Sequence, residues 1–277
     1  MKKKFKWTRL ILYIAVYGAL LIVYFPFIWM FVCSIKPYSQ LFSLPPTLIP
    51  VQATMSHYIK VLSQNSFLLW MLNTTILSVG TAVLSVGLSV FGAYGLSRFK
   101  YKAKSRIELG VLLIYMFPPI LLCIPLVMLF AGLRLIDTRI GLIIAYTVFS
   151  VPFSLWYLKS YFDTIPVELD EQALVDGCNR LSAFWRIILP LATPGVFAAA
   201  VYGFVRAWAE YLYALIFTNS ESKKTLSLGL ADWIQQSDIP WGELMAASVL
   251  TLIPTVIFFM LIQRQFVEGL SAGALKE

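Results

Sequence analysis

The sequence predicts an all-α polytopic membrane protein with six transmembrane helices, and three observations support this. Apolar residues make up 59% of the 277 residues and charged residues only 13%, which is too little charge to cover a soluble protein of this length. Several apolar runs reach the roughly 20 residues that a helix needs to cross a bilayer. Lys and Arg fall in short clusters beside those runs, as orientation signals do, so the net charge of +8 does not indicate nucleic acid as a partner.

The first transmembrane helix is predicted from Leu10 to about Cys33, after the basic start MKKKFKWTR. Its apolar run is too long for a signal peptide, and no small-x-small cleavage site follows it. The next stretch is too polar and proline-rich to cross a membrane, so residues 1–66 are predicted to form one helix and an extracytoplasmic loop. His57 lies in this loop, where we expect a solvated or capping role because a lone histidine cannot build a typical metal site.

Helices two, three and four are predicted from the next three apolar stretches. Helix two covers about 67–96, and its glycines and serines suit close helix packing. Helix three runs to about Leu133 and contains Pro118, Pro119 and Pro125. Such breaks are tolerated only against protein or a water-lined cavity, so helix three is expected beside a pathway or in a packed kink. Helix four covers about 140–158.

A long polar segment, TIPVELDEQALVDGCNRLSAFWRIILPLATP at 164–194, follows helix four. Three of its acids, Glu168, Asp170 and Glu171, suit the positive end of a helix dipole. A helix is therefore predicted to begin at Pro166, whose fixed φ favours the first helical position, and to end at Gly177. It is either a surface helix joining two spans or a helix that receives a partner.

Further residues of this segment predict its shape. Ala173 and Gly177 are four apart and so share a helix face, which a partner could approach closely. Ser182 is predicted to cap a second helix. Pro190 and Pro194 are expected to kink the chain and to begin the next span.

Helix five is predicted at about 195–217 and contains the charged residues Arg206 and Glu210. Because charges are costly in lipid, they are expected to face the bundle interior or an aqueous cavity. Trp208 and Tyr211 add polar-edged aromatic surface, so the cluster fits either a site for a sugar or an ion pair that locks helices together. Asn73, near the start of helix two, is a further residue that could bind solute or a neighbouring helix.

Helix six is predicted at about 244–262, after the loop at 218–243. With six helices placed, the positive-inside rule predicts the orientation of the chain in the membrane. Fifteen Lys and Arg residues then fall on the side of the termini and the polar segment, and six fall on the other side. Both termini and the segment at 164–194 are therefore predicted to be cytoplasmic. Residues 67–266 are predicted as a five-helix core, and 267–277 as a cytoplasmic tail.

Sequence signatures of catalysis are missing from the chain. It contains no G-x-x-x-x-G-K-[ST] phosphate loop, no H-E-x-x-H helix and no G-x-S-x-G elbow. Cys33, Cys123 and Cys178 are too widely spaced for a metal or redox motif. We expect no catalytic residue, metal or cofactor in this chain, and ATP-driven work would require an ATPase on another chain.

The polar segment resembles the cytoplasmic signature of bacterial ABC importer permeases: Glu-Ala-Ala, three residues, Gly, nine residues, Ile-x-Leu-Pro. The matching positions are Glu171, Ala173, Gly177, Ile187, Leu189 and Pro190. Gln172 departs from the signature, since an Ala usually stands there. The resemblance implies the type I ABC importer permease fold, with a coupling helix at about 164–182 that docks into a groove on the ATPase subunit.

Nearly the whole chain resembles the carbohydrate branch of this family and is similar to its maltose-type permease subunits. The similar stretches are NTTILS at 73–78, IDTRIGLII at 136–144, KTLSLGLADW at 224–233 and FVEGLSAGALKE at 266–277. The sequence WAEY at 208–211 resembles a family Trp-Asn-Glu pattern, but Ala209 replaces the Asn, so a polar role there does not carry over.

The resemblance implies a set of partners in a bacterial plasma membrane. These are a second homologous permease, two ATP-binding subunits, an extracytoplasmic solute-binding protein, a sugar substrate and the lipid bilayer. ATP would be bound by the partner subunits. The tail, Gly269 to Lys276, would reach between the ATPases.

Two other classes of function stay open. The signature is shared by ABC permeases for polyamines, phosphate or peptides, and only the flanking stretches favour carbohydrate. A secondary transporter would need intramembrane carboxylates as ion-coupling sites. Glu210 is the one candidate, and Arg206 beside it disfavours proton cycling. An intramembrane enzyme is the least favoured class, and the sequence does not name the sugar.

Overall fold

The computed structural model describes the backbone of residues 7–274 and the side chains of residues 11–64, 66–261 and 263. Every regular element within 7–274 is a helix. The chain divides into two compact units. The first is Met1–Asn65 with Asp232–Ile253, and the second is Ser66–Ala231 with Pro254–Glu277. The predicted tail at 267–277 lies outside the described side chains, and its last three residues lie outside the described backbone.

The helices follow the predicted order closely. The earlier α-helices are α1 (Trp7–Ser34), α2 (Tyr38–Leu41), α3 (Ser56–Ser63), α4 (Asn65–Arg98), α5 (Lys104–Met116), α6 (Cys123–Gly132) and α7 (Arg139–Asp163). The later ones are α8 (Glu168–Val175), α9 (Arg180–Ala183), α10 (Leu189–Leu191), α11 (Thr193–Trp208), α12 (Leu212–Phe217), α13 (Leu226–Ile234) and α14 (Trp241–Ala274). Shorter turns are a 3-10 helix at Pro119–Leu122, another at Glu221–Lys223 and a π-helix at Phe184–Ile188.

The described helices include four that are long and apolar enough to cross a membrane, which makes this a multi-pass membrane protein. They are Ile11–Ser34, Ser66–Arg98, Arg139–Asp163 and Trp241–Leu261. Two bent pairs also qualify by composition: Lys104–Met116 with Pro119–Gly132, bent by 95°, and Arg180–Leu191 with Thr193–Trp208, bent by 76°. The six predicted spans correspond to these elements only if each bent pair counts as one span.

The predicted break in helix three lies where the adjacent prolines stand. Phe117 has extended backbone (ψ 128°) and ends α5, as expected for a residue before a proline. Pro118 is also extended (ψ 121°), and the 3-10 turn begins at Pro119. Pro125 causes no break, since it lies in the first turn of α6, where its missing N–H has no helical partner to lose.

The second unit contains two apolar clusters that join its helices. One unites α4, α6, α7 and α12 through buried residues that include Leu77, Phe130, Tyr146 and Phe217. The other unites α4 and α7 with the segment that follows α8, and includes Val90, Phe162, Phe184 and Ile188. The segment at 164–194 is therefore packed onto two long helices and is not a loose connection.

Small residues allow the helices of this unit to pack closely, as predicted. A Cβ atom at Gly80 would lie 2.7 Å from Ile143 Cδ1 of α7. A Cβ atom at Gly203 would lie 2.9 Å from Ser85 Oγ of α4. The predicted small-residue face of α4 thus contacts both α7 and α11.

The loop after α12 is tied to the loop before α7 by Asp137. Its carboxylate accepts the backbone N–H groups of Asn219 and Ser220, both at 3.0 Å, and the Lys223 ammonium at 3.1 Å. It also accepts the hydroxyl of Ser220. Burial raises the pKa of Asp137, but the hydrogen bonds from Ser220, Asn219 and Lys223 outweigh it and hold the pKa well below its usual range.

The first unit corrects the prediction for His57. This residue is on α3 and only 3% exposed, so a solvated position in a loop is wrong. Its Nε2 lies 2.8 Å from the carbonyl oxygen of Lys36, and its Nδ1 lies 3.4 Å from Glu243 Oε1. A Cβ atom at Gly242 would lie 2.2 Å from its ring, so the imidazole fills space that a glycine leaves open.

Candidate functional site

The helix α8 begins two residues later than predicted and ends where predicted. Its first turn holds Glu168, Asp170 and Glu171, whose charges suit the N-terminal end of the helix dipole. Pro166 lies just before it and accepts a hydrogen bond from Leu169 through its carbonyl oxygen. The proline therefore starts the turn that leads into the helix.

A Schellman motif ends α8. Gly177 has φ +85°, the left-handed region that glycine adopts without strain. The N–H of Cys178 donates to the Ala173 carbonyl oxygen at 2.9 Å, and that of Gly177 donates to Leu174 at 3.1 Å. The prediction that Gly177 ends the helix is confirmed. Its physical reason is the positive φ.

Ala173 was predicted to lie on a helix face open to a partner, but the structure buries it. It is 2% exposed and lies against the chain's own interior. The prediction that Ala173 and Gly177 together form a face for a partner is therefore wrong for Ala173. The alanine is small because α8 packs closely on the helices beneath it.

The side of α8 that faces away from the interior consists of Glu171, Gln172 and Val175, which we call the α8 outer face. Val175 lies four residues after Glu171 and three after Gln172, so it shares one side of the helix with both, and all three residues are exposed. Val175 is 87% exposed, although it is purely apolar. Leu174 and Leu181 nearby are also exposed, so the tip of this segment presents apolar groups beside a carboxylate.

Asn179 caps the segment after α8, and a π-turn followed by Pro190 bends it. Asn179 is the N-cap of α9, since its Oδ1 accepts the Ser182 N–H at 2.8 Å, so the predicted Ser182 cap is wrong. A π-helical turn follows and runs directly up to α10, which contains Pro190. A proline cannot donate to the residue four positions earlier, and a π-turn absorbs that missing bond.

The remaining signature residues hold this segment to the protein. Ile187 and Leu189 are half-buried and pack against the cluster around Phe184 and Ile188. Pro190 is exposed. The structure therefore places Glu171 and Gly177 on the surface, whereas Ala173, Ile187 and Leu189 serve the packing beneath it.

Three residues that anchor α8 were not predicted as functional. Arg98, the last residue of α4, donates through Nε to Asp170 Oδ2 at 2.7 Å, and Tyr94 donates to Oδ1 at 2.7 Å. In the sequence, Arg98 is one of the basic residues that indicate orientation, and Asp170 is one of the acids at a helix start. The spacing of this pair along the chain gives no signal, because the two residues meet only in the folded structure.

A cavity of about 620 Å³ lies within the second unit, bordered by α7 and α11 and by the break before α12. Its polar lining comes from Tyr146, Ser150, Arg206, Glu210, Tyr211 and Tyr213. Aromatic faces beside hydroxyl and charged groups suit an uncharged polar ligand as well as water. The structure brings three predicted pathway residues, Arg206, Glu210 and Tyr211, to this one cavity.

The structure corrects the prediction of a continuous helix five that carries both Arg206 and Glu210 and allows an ion pair between them. The chain leaves the helix after Trp208, and α12 begins at Leu212, so Arg206 and Glu210 no longer lie one helical turn apart. Glu210 instead accepts the N–H groups of Tyr213 at 2.8 Å and Ala214 at 3.0 Å. Its two oxygens therefore cap α12, and the acid lies half-buried beside the cavity.

Replacing Glu210 with alanine is expected to lower the free energy of unfolding by about 1 kcal/mol, as for the loss of a helix cap. Glu210→Gln keeps one acceptor oxygen and is expected to lose less. The thermal midpoint of the purified protein in detergent measures both. A Gln variant less stable than the Ala variant would contradict the capping role.

The other two predicted pathway residues, Asn73 and Trp208, are not among the described residues that line the cavity. Asn73 is fully buried, donates to the carbonyl oxygens of Ser222 at 3.0 Å and Lys224 at 2.9 Å, and accepts from Arg139 at 3.0 Å. Of the two roles predicted for Asn73, the structure shows the bond to neighbouring segments. Trp208 stacks on Phe204, with ring centroids 5.4 Å apart.

Replacing Asn73 with alanine is expected to destabilise the protein by about 3 kcal/mol, because two carbonyls and a guanidinium lose a buried partner at once. Thr75→Ala is the matched control, since Thr75 bonds only within its own helix, to the Met71 carbonyl oxygen. Thermal midpoints with and without added sugar measure this. If Asn73 bound solute, its variant would lose a sugar-dependent stabilisation and show little loss without sugar.

Comparisons with known proteins show the family to which the chain belongs. Residues 85–271 match the family described as binding-protein-dependent transport system inner membrane component. The chain is 40% identical over 259 residues to the inner membrane ABC transporter permease protein YcjP of Escherichia coli, covering 93% of this chain and 92% of that protein. It is 36% identical over 271 residues to the trehalose/maltose transport system permease protein MalG of Thermococcus litoralis, covering 97% of each.

A solved structure shows the same fold. It is a bacterial ABC transporter involved in the import of the acidic polysaccharide alginate, one chain of which aligns with a TM-score of 0.79 and 23% identity, over 96% of this chain and all of that one. Both α8 and the residues around the cavity fall within the range that the family match covers. The chain belongs to the family of binding-protein-dependent transport system inner membrane components, as an ABC transporter permease.

Proposed function

We propose that this chain is the membrane-spanning permease subunit of an ATP-driven carbohydrate importer. It forms half of the translocation pathway and couples to a separate ATPase through α8. The single observation that carries the coupling role is the construction of α8. Its inner side is anchored to α4 and α7, whereas its outer face exposes Val175 almost completely. An apolar tip on a rigid, anchored helix is suited to a protein partner.

The carbohydrate is proposed on two grounds. The Thermococcus relative is a trehalose/maltose transport system permease protein by name. The cavity presents the exposed Tyr211 beside Arg206 and Glu210, a lining that can stack on a sugar ring and bond its hydroxyl groups. The cavity, with Arg206, Glu210 and Tyr211, is therefore our candidate for the solute pathway.

The partners follow from the same proposal. They are a second homologous permease, two ATP-binding subunits and an extracytoplasmic solute-binding protein, and the family's description supports the last of these. ATP is bound and hydrolysed on the partner subunits, so this chain needs no cofactor. The distribution of Lys and Arg supports cytoplasmic termini and a cytoplasmic α8 in a bacterial plasma membrane.

Transport then requires a bundle with two arrangements. The binding protein delivers the sugar to the outer side, and ATP closes the ATPase dimer. The ATPases displace α8, the two permeases rock, and the cavity opens to the other side. An ion-coupled mechanism is disfavoured, because both oxygens of Glu210 already cap α12.

The experiment is purification of this chain from detergent-solubilised native membranes, followed by identification of the subunits that accompany it. We expect a second six-span permease and an ATPase in stoichiometric amounts. Reconstitution of that complex with its binding protein, followed by uptake of labelled disaccharides against labelled polyamine and phosphate, then tests the substrate class. Recovery of the chain alone or as a homodimer would refute the coupling proposal, and uptake of only a non-sugar would refute the carbohydrate.

A further inference from the structure

The inner side of α8 is attached by a buried charge cluster. The Arg98 side chain is 4% exposed, and that of Asp170 is 11% exposed. Besides its bond to Asp170, the Arg98 guanidinium donates to the carbonyl oxygens of Phe162 at 3.0 Å and Ile165 at 2.9 Å. One side chain at the end of α4 thus contacts both the end of α7 and the start of α8.

The second oxygen of Asp170 is occupied as well. Tyr94, one turn before Arg98 on α4, donates its hydroxyl to Asp170 Oδ1 at 2.7 Å. The Tyr94 ring also packs against Phe162 and Phe184, with centroid distances of 5.9 and 4.8 Å. The carboxylate therefore has a fixed position and orientation, held by a charge and a hydroxyl from the same helix.

We propose that Arg98 and Asp170, supported by Tyr94, are the positioning residues through which a displacement of α8 becomes a displacement of α4 and α7. This inference rests on the proposed function, since it presumes that an ATPase moves α8. The cluster makes three helix ends one rigid body. Among the described residues, no side-chain hydrogen bond outside this cluster joins α8 to α4. Without the cluster, α8 could tilt against α4 without moving it.

Two features of the structure favour transmission over a purely local role. The carbonyl oxygens of Phe162 and Ile165 belong to the end of α7 and the turn after it, where the last helix carbonyls have no partner within the helix. The Phe162 oxygen also accepts the Ile165 N–H at 3.1 Å, whereas among the described residues the Ile165 oxygen accepts only from Arg98. Arg98 binds both oxygens with the same guanidinium that holds Asp170. In turn, α7 carries Tyr146 and Ser150 of the cavity lining. A path of direct contacts therefore runs from α8 to the wall of the cavity.

A second ion pair nearby serves as an internal comparison. Asp163, at the end of α7, accepts from Ser97 at 2.6 Å and from Lys159 at 2.8 Å. It also joins α4 to α7, but its side chain is 40% exposed, and none of these partners lies on α8. Ser97 also accepts from Arg98 at 3.2 Å, but Asp163→Asn leaves the bonds of Arg98 to Asp170 and to both carbonyls in place. The variant therefore disturbs the same helix ends without releasing α8.

The test measures sugar uptake per ATP hydrolysed by the complete transporter in proteoliposomes with its binding protein. The variants are Arg98→Gln, Arg98→Lys, Asp170→Asn and Tyr94→Phe, with Asp163→Asn as the control. In Arg98→Gln and Asp170→Asn we expect uptake per ATP to fall about tenfold, the range of typical allosteric coupling. Arg98→Lys keeps the charge but cannot bond both carbonyls, so we expect partial rescue. Asp163→Asn should match the wild type.

Tyr94→Phe guards against variants that fail to assemble, because it leaves the ion pair in place. We expect uptake per ATP to fall about threefold in this variant, a small coupling loss, with normal assembly. Unchanged uptake per ATP in both Tyr94→Phe and Arg98→Lys would overturn the inference, as would an equal fall in Asp163→Asn. If the wild-type complex lacks an ATPase or does not couple at all, the proposed function fails instead.

Discussion

Replacing Gly177 with valine is expected to reduce sugar uptake to background while the ATPase subunits remain bound. The residue has φ +85°, and a non-glycine residue in this region costs about 1–2 kcal/mol, with β-branched residues the least tolerated. The chain would leave the left-handed conformation, and the Schellman bonds to Ala173 and Leu174 would break. The chain after α8 would then no longer be fixed to the helix, so the ATPase could bind α8 and hydrolyse ATP without moving the rest of the permease. Uptake and ATPase activity of the reconstituted complex measure this directly.

The control for Gly177 is asparagine, which adopts the left-handed region more readily than other side chains. A Cβ atom at this position meets no atom of the described chain within 4 Å, so steric clash inside the protein is not an issue. Gly177→Asn is therefore expected to keep most of the uptake. If the Asn variant is as inactive as the Val variant, backbone conformation is not the reason, and the partner requires a bare backbone there.

Replacing Val175 with lysine is expected to remove the ATPase subunits from the purified complex. Val175 is 87% exposed and is the apolar residue of the α8 outer face. In the proposed complex its side chain is buried against the ATPase. Burying an unpaired ammonium group there would cost several kcal/mol of binding free energy. A cost of about 4 kcal/mol lowers the affinity about 1000-fold. Copurification in mild detergent, quantified by subunit ratio, measures the loss.

Leu133→Lys is the matched control for Val175→Lys. Leu133 is also an exposed apolar residue, 60% exposed, but it lies between α6 and α7 on the side predicted to be extracytoplasmic. This variant is expected to retain the ATPase at the wild-type ratio. Loss of the ATPase in both variants would show that added charge disturbs the membrane domain in general. Retention in both would contradict the assignment of the α8 outer face.

Most helices and the end of α8 could be predicted because they depend on local chemistry. Apolar runs predict α1, α4, α7 and α14, and paired prolines predict the break before Pro119. The end of α8 at Gly177 was predictable because glycine commonly occupies the left-handed position that ends a helix. The Ser182 cap failed because the helix begins earlier: Asn179 is its N-cap and accepts the Ser182 N–H, so Ser182 lies inside the helix.

The errors concern groups whose partners are distant in the sequence. Ala173 was assigned to the surface because periodicity cannot tell which face of a short helix the fold covers. The Arg206–Glu210 pair failed because the helix breaks between the two residues, and Glu210 binds backbone N–H groups instead. The pair of Arg98 and Asp170 spans 72 positions of sequence, so only the packing of α8 onto α4 could reveal it.

The central claim is that the α8 outer face contacts an ATPase, and site-specific crosslinking tests it most directly. A photo-reactive amino acid would replace Val175 in one variant and Leu133 in another, and membranes from the native host would be irradiated with and without ATP. We expect the Val175 variant to crosslink to an ATP-binding subunit, in an ATP-dependent yield, and the Leu133 variant to give no such product. Crosslinks from Val175 only to lipid or to a non-ATPase protein would contradict the claim.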